Sequence, residues 1–378
     1  MEFLWEGFLQ ITWQQAVMYG IGILLIYLAV KKGYEPALLL PMGFGAILVN
    51  LPLSGVINQN VEGIGEVNGI IEWLFDVGIE ASEALPILLF IGIGAMIDFG
   101  PLLSMPSMFL FGAGAQFGIF FALSTAVLLG FDLKDAASIG IIGAADGPTS
   151  ILVSQILHSK YVGAIAVAAY SYMALVPIVQ PFAIRLVTTK KERCIRMEYM
   201  PGTVSKGMRI AFPILTTFLV GLAAPQSVAL VGFLMFGNLI RECGVLGTLS
   251  DTAQNVLANL ITLLLGLTIS FSMRAEAFVN VDTLVIMGIG LIAFVFDSIG
   301  GVLLAKLLNL FRKKKVNPMI GAAGISAFPM SARVVQKMAL EEDPGNIILM
   351  HAIGANVSGQ IASVIAGGLI IGLVSAYL

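Results

Sequence analysis

The sequence predicts an all-α polytopic membrane protein made of two inverted repeats of about five transmembrane helices, each carrying a re-entrant broken hairpin. Three observations lead there: an apolar excess that water cannot solvate, a series of long apolar stretches, and an internal echo at constant offset. Of 378 residues, 58% are hydrophobic and 11% charged, and the mean hydropathy is +0.96. Soluble globular domains average about 45–50% and about 25%. Twenty Lys+Arg and 23 Asp+Glu cannot coat a 40.0 kDa protein in water. A soluble enzyme, a disordered chain and a nucleic-acid partner are thereby excluded. Membrane lipid supplies the missing solvent, and the net charge of -3 says nothing further about partners.

A span requires about 20 mostly apolar residues. Candidates run 13–30, 36–52, 84–97 (extended backwards by 68–82), 106–131 and 161–187. A second set runs 208–224, 226–240, 253–273, 283–309 and 345–376. Met1–Gln15 carries Glu2 and Glu6 where a cleavable leader would be basic, so insertion is expected to use the first span. Lys31 and Lys32, the central run from Lys190 to Arg209, and Arg312 to Lys315 mark the cytoplasmic loops, whereas 54–67 has Glu62 and Glu66 and no Lys or Arg. With ten spans both termini lie outside. Whether 68–82 lies on the surface or adds a span stays open, and an added span would flip the N-terminus. Cys194 and Cys243 have no Cys or His at metal-ligand spacing and read as small packed thiols.

Two further apolar segments, 134–157 and 317–338, are interrupted by Gly, Pro and small polar residues. They align with each other at an offset of 181, with identities Ile139/Ile320, Gly140/Gly321, Gly143/Gly324, Pro148/Pro329, Ser150/Ser331, Val153/Val334 and Gln155/Gln336. Gly43-Phe44 before Asn50 is echoed by Gly232-Phe233 before Asn238. The repeats are placed at 1–190 and 208–378, joined by a basic cytoplasmic linker at 191–207. An odd number of spans per repeat inverts the second, the plan of secondary transporters. Each interrupted segment is then a re-entrant hairpin, and backbone broken at membrane depth needs protein or an aqueous cavity to satisfy it.

Asp146 sits at the first expected tip, in Gly143-Ala-Ala-Asp146-Gly147-Pro148-Thr149-Ser150. A hard cation such as Na+ is suited by a carboxylate, hydroxyls such as that of Thr149, and carbonyls freed by Gly147 and Pro148. A helix cap is the plainer role for the same aspartate. The second tip offers Asn317, Gly321, Gly324, Ser326 and Pro329, then Arg333. Ser326 falls one position before the counterpart of Asp146. Arg333 suits a planar carboxylate through a bidentate fork, or snorkels to the interface. Tyr172 offers a phenol within 161–187, and Asn356 an amide within the last span. Asp297, in Phe296-Asp297-Ser298, is open between a second cation, a proton path and a local hydrogen bond.

At these residues the chain resembles the β subunits of the sodium-transporting biotin-dependent decarboxylases, which act on oxaloacetate, methylmalonyl-CoA, glutaconyl-CoA or malonate. The resemblance spans almost the whole chain. Its most specific pieces are Gly143-Ala-Ala-Asp146-Gly-Pro148-Thr149 and the segment from Asn317 to Arg333. It implies that the essential aspartate is Asp146 and the functional tyrosine Tyr172. The polar residues of the second segment fall on Asn317, Gly321, Ser326 and Arg333, and the late asparagine on Asn356. It further implies a pump in the cell membrane, in which carboxybiotin on a soluble carrier loses CO2 and drives Na+ outward. The implied partners are a carboxyltransferase, a biotin carrier and a small membrane subunit, and a homo-oligomer is compatible with all of this. The chain lacks a long insert between early spans, which resembles the acyl-CoA type more than the oxaloacetate type.

From these pieces Asp146, Thr149, Ser326 and Asn356 are expected to hold Na+. Arg333, Asn317 and Gly321 are expected to form the carboxybiotin site, and Tyr172 to relay a proton. A Na+/carboxylate symporter without decarboxylase chemistry is the alternative.

Overall fold

The computed structural model of the protein describes residues 7, 9–33, 36–61, 65–81, 83–199 and 204–377. Glu2, Glu6 and Glu62 lie outside the described residues. Thirteen helices carry the architecture: α1 (Trp13–Lys32), α2 (Pro36–Val49), α3 (Ala84–Met96), α4 (Phe117–Leu128), α5 (Leu133–Gly140), α6 (Gly147–Ile156), α7 (Val162–Val187), α8 (Lys206–Ala223), α9 (Val228–Glu242), α10 (Ala258–Ile269), α11 (Val281–Phe311), α12 (Met330–Glu342) and α13 (Leu349–Ala376). Among the described residues, six stretches are long and apolar enough to cross a bilayer: Trp13–Lys32, Pro106–Leu128, Lys206–Ala223, Gly247–Met273, Val281–Phe311 and Leu349–Ala376. Ile70–Glu80 with Ala84–Met96, bent by 67°, and the two parts of α7, bent by 72°, raise the number to eight. Within the expected 68–82 extension, Ile70–Glu80 is thus one arm of a bent pair with α3. The remaining two expected spans, α2 and α9, are 14 and 15 residues long. At 1.5 Å per residue each reaches about 21–23 Å, less than the hydrocarbon thickness.

Large apolar side chains face outward all round, as Leu128, Val281 and Phe311 do, while Asp146, Gln180, Asp297, Asn356 and Gln360 are buried. This inversion of the soluble pattern is what lipid solvation selects. Ends are set by ordinary capping: a Thr12–Gln15 box and Gly33 at φ +67 bracket α1, and Ser205 and Asn280 cap α8 and α11. The bend in α7 lies four residues before Pro177, whose ring excludes the carbonyl of Met173. The loop 54–67 contains a small antiparallel ribbon, β1 (Gln59–Val61) with β2 (Gly65–Val67), which the all-α expectation did not include.

The two halves exchange helices. Helix α2 packs on α10, and α3 on α9. Small residues let the backbones meet: a Cβ on Gly94 would overlap the Leu234 carbonyl, and one on Gly237 the Ile91 carbonyl. An asparagine closes each pair. Asn50, after α2, donates to Met273 O (2.9 Å) and accepts from Ala275 N (2.7 Å) beyond α10. Asn238, in α9, donates to Ile97 O (3.1 Å) beyond α3.

Both interrupted segments are broken. The first runs through α5, a 3-10 turn at Ile141–Ala144 and Ala145 at φ +52 before α6 begins. Its two ends meet on one face, where Ser159 Oγ donates to Asp135 Oδ1 (2.6 Å) and Lys160 Nζ lies 3.9 Å from Asp135 Oδ2. The second runs from Asn317 through a short helix at Met319–Ala322 to α12. Its ends meet on the central linker: Asn317 Nδ2 donates to Arg193 O (2.8 Å) and Ile195 O (3.0 Å), and Asn346 Nδ2 to Arg193 O (3.0 Å). Helix α7 joins the mouth of the first, at Tyr161, to the linker under the second. The tips touch through Ser326 N donating to Ala144 O (3.2 Å).

Candidate ion site

The candidate site lies where the two tips meet α13. Asp146 is the N-cap of α6 and is 3% exposed. Its Oδ1 accepts from Thr149 N (3.3 Å), and its Oδ2 from Ser363 Oγ (2.6 Å) and Gln360 Nε2 (3.3 Å). Capping and site formation are therefore one arrangement: a cap fixed by α6 alone would not recruit two side chains from α13. From the other tip, Ser326 Oγ donates to Gly359 O (3.1 Å), and Asn356 Nδ2 donates to Ile325 O (2.6 Å). Gly359 is required because a Cβ there would overlap the Gly324 carbonyl.

Three buried oxygens of this region have no hydrogen-bond partner among the described residues: Thr149 Oγ1 next to the Asp146 cap, Tyr170 Oη of the ring against Gly147, and Asn356 Oδ1 one turn before Gln360 on α13. An unpartnered buried acceptor is costly, about 1–3 kcal/mol each, unless something fills the gap. One carboxylate with amide, hydroxyl and carbonyl oxygens is a donor set that suits a hard cation. No group of three or more His, Cys, Asp or Glu that could hold a metal exists among the described residues.

The other expected residues lie elsewhere. Tyr172 donates its hydroxyl to Met287 O on α11, while Tyr170 packs its ring on Gly147 beside Asp146. Asn317 spends its amide N–H groups on the linker carbonyls, away from the tips. Gly321 sits where a Cβ would overlap the Gly301 carbonyl, so it serves close packing of the second hairpin on α11. Arg333 is exposed on α12 and lines a cavity of about 440 Å³ with Gln336, Lys337 and Glu341. Tyr170, Gln360 and Ser363 were not singled out from the sequence. Asn356, Gln360 and Ser363 recur at the i, i+4, i+7 spacing of one helix face, a polar stripe on an apolar span that could have located them.

At the mouth of the second hairpin, Arg193 Nε pairs with Glu342 (2.7 Å), and Arg196 with Asp343 through Nε (2.7 Å) and Nη2 (2.9 Å). The Arg196 fork holds the Asp343 carboxyl below its usual value.

A predominantly helical, multi-pass membrane protein with a buried carboxylate where two broken hairpins meet has the features of an ion-translocating protein. The comparisons specify it. Residues 14–374 match the model of the β subunit of Na+-transporting oxaloacetate decarboxylase. The β subunit of glutaconyl-CoA decarboxylase from Acidaminococcus fermentans is 46% identical over 369 residues, 98% of this chain and 96% of that one. The β subunit of methylmalonyl-CoA decarboxylase from Propionigenium modestum is 46% identical over 384 residues (97% and 96%), and the probable oxaloacetate decarboxylase β chain of Vibrio cholerae 42% over 419 (97% and 96%). The chain belongs to the β-subunit family of the Na+-transporting decarboxylases, membrane translocases associated with a decarboxylase.

Proposed function

We propose that this chain is the cell-membrane subunit in which carboxybiotin, presented by a soluble biotin carrier, is decarboxylated with uptake of a proton, and that the reaction drives Na+ outward. The observation that carries the reading is the tip-to-tip junction, beside which a buried carboxylate lies among buried polar side chains, some of whose oxygens have no partner among the described residues. Asp146, Thr149, Asn356 and Ser326 hold the Na+ cargo, whose single charge balances the single carboxylate. Carboxybiotin, when docked, supplies a carboxylate that leaves as CO2 while its ring nitrogen takes up H+. Arg333, with Lys337 in the same cavity, supplies the cationic pair that orients that carboxylate. Asn317 and Gly321 hold the hairpin that carries Arg333. Tyr170, beside Asp146, passes on a proton that arrives from the aqueous side, its hydroxyl taking one up as it gives one to the carboxylate, so that the phenol is regenerated while the neutralised carboxyl dismisses the cation. Tyr172 supports the α7–α11 contact behind it. Coupling requires different Na+ affinities in the two access states, since equal affinity shifts no equilibrium.

What supports two inverted halves, 1–190 and 208–378, is the reciprocal exchange of α2–α10 for α3–α9, each closed by an asparagine from equivalent positions. What supports an acyl-CoA substrate is length. Alignment with the oxaloacetate chain needs 419 positions against 369 with the glutaconyl-CoA chain, so the former carries an insertion absent here. A carboxyltransferase, the biotin carrier and a small membrane subunit complete the assembly.

The test is reconstitution of the complete complex in proteoliposomes. Glutaconyl-CoA or methylmalonyl-CoA is expected to drive ²²Na+ uptake with CO2 release, blocked by avidin, whereas oxaloacetate is not. Uptake of labelled carboxylate with Na+ and without CO2 release would make the chain a symporter instead.

A further inference from the structure

The start of α7 packs on the turn that ends α10, so closely that a Cβ on Gly163 would overlap the Ser272 side chain. At this seam Lys160, Tyr161, Ser272, Arg274 and Thr283 line a cavity of about 170 Å³. Two cations thus share a small space with hydroxyl groups, and no Asp or Glu is among its lining residues. Each cation lies over an aromatic ring: the Arg274 guanidinium carbon is 4.1 Å from the Phe271 centroid, and Lys160 Nζ 5.0 Å from that of Tyr161. A ring face does not satisfy an N–H group. Arg274 Nε is buried and has no hydrogen-bond partner among the described residues, a costly state for a donor of a charged group. Lys160 is only loosely held, with Asp135 Oδ2 3.9 Å from Nζ and its side chain 70% exposed. Arg274 also borders a second cavity, of about 370 Å³, but Glu276 lines that one and disfavours an anion there. The sequence points to the same place. In the ten-span orientation, with both termini outside, the Lys and Arg of the outward loops are Lys134, Lys160 and Arg274. Outward loops are poor in such residues, yet two of these three line one cavity.

We propose that the cavity between α7, α10 and α11 binds one small oxyanion, phosphate-sized or smaller, held by Arg274 and Lys160 on the outward face. A guanidinium presents its N–H groups in a fixed fork that matches paired oxygens, and an ammonium adds an adjustable point charge. Ser272 and Thr283 contribute hydroxyl donors. A spherical halide would meet the charges and leave the fork unmatched. The volume lies well below the roughly 300 Å³ at which pockets begin to take drug-sized molecules, so a nucleotide or an acyl-CoA is too large. The occupant bridges Lys160, at the mouth of the Asp146 hairpin, and Arg274, at the end of α10. It therefore stiffens that seam from outside without entering the Asp146 site.

The test is equilibrium binding of ³²P-labelled inorganic phosphate to the purified full-length chain in phosphatidylcholine nanodiscs. Wild type is expected to bind one phosphate per chain, displaced by bicarbonate at least tenfold more effectively than by chloride. Arg274→Gln and Lys160→Gln are each expected to weaken binding at least tenfold. Lys134→Gln, on the same face and outside the cavity, is expected to leave it unchanged. The exposed Lys160 side chain can be replaced without disturbing the core, so Lys160→Gln carries the test if Arg274→Gln fails to fold. Phosphatidylglycerol added to the disc separates two sources of the same chemistry: competition with free phosphate makes the occupant a lipid headgroup, no competition makes it a free ion, and the site stands in both cases. Three results overturn it: no saturable phosphate binding in wild type, wild-type affinity in the folded cavity variants, or the same loss in Lys134→Gln. Chloride displacing phosphate as well as bicarbonate does overturns the oxyanion assignment.

Discussion

Asp146 is held by groups that single substitutions address separately. Removing the Ser363 hydroxyl deletes a 2.6 Å bond to an ionisable oxygen, and bonds to charged groups contribute about 1.5–3 kcal/mol. Ser363→Ala is therefore expected to raise the Na+ concentration for half-maximal decarboxylation tenfold or more, and an unchanged Na+ dependence would contradict the site. Gly147→Ala drives a methyl into the Tyr170 ring. It is expected to abolish Na+-dependent activity, with partial recovery in the Gly147→Ala, Tyr170→Ala double variant if the clash, and not the cap, is the cause. The aspartate was legible because an ionisable group among Gly, Ala and Ile at membrane depth has few other uses. The phase of α7 was not. Tyr170 and Tyr172 are two residues, about 200°, apart round the helix, and only packing shows which of them faces Asp146. Arg333 could be picked out by its isolation among Ala and Val, but its exposed cavity needed coordinates.

At the scale of elements, the second hairpin is clamped at its mouth and pinned at its tip. Asn317→Ala removes two bonds to linker carbonyls, worth about 1–3 kcal/mol together. Limited trypsinolysis after Lys190 and Lys191 is expected to speed up severalfold, and an unchanged rate would contradict the clamp. The Arg196–Asp343 pair adds a pH dependence to the same docking. Because the folded carboxyl is depressed, its contribution is complete above the unfolded value of about 4 and is lost as pH falls below that. Cleavage should therefore accelerate in acid, where an acid-active protease replaces trypsin, and Asp343→Asn should flatten that profile. The breaks in both hairpins were legible because Gly, Pro and Asp cluster there. The bend of α7 was readable in principle from Pro177 and Pro181, yet high mean apolarity hid it inside one expected span. The β1–β2 ribbon has three-residue strands, too short for alternation to register.

For the whole molecule, composition alone dictated a lipid solvent, and the ordered series of apolar stretches gave the helices. Their pairing across halves could not be read, since it depends on backbone approaches at Gly94 and Gly237 that no periodicity encodes. The inverted reading places the hairpin mouths on opposite faces. In a chain with Cys194 and Cys243 replaced by Ser, Lys160→Cys is expected to react with an impermeant thiol reagent only from outside, and Lys315→Cys only from the cytoplasmic side. Labelling of both from one side would contradict it. The central claim, that the carboxylate between the tips carries the transported ion, is tested most directly by substrate-driven ²²Na+ uptake into proteoliposomes containing the complete complex with Asp146→Asn. The account predicts a chain that folds and assembles normally and shows at least a hundredfold less uptake. Uptake at the wild-type rate would contradict it.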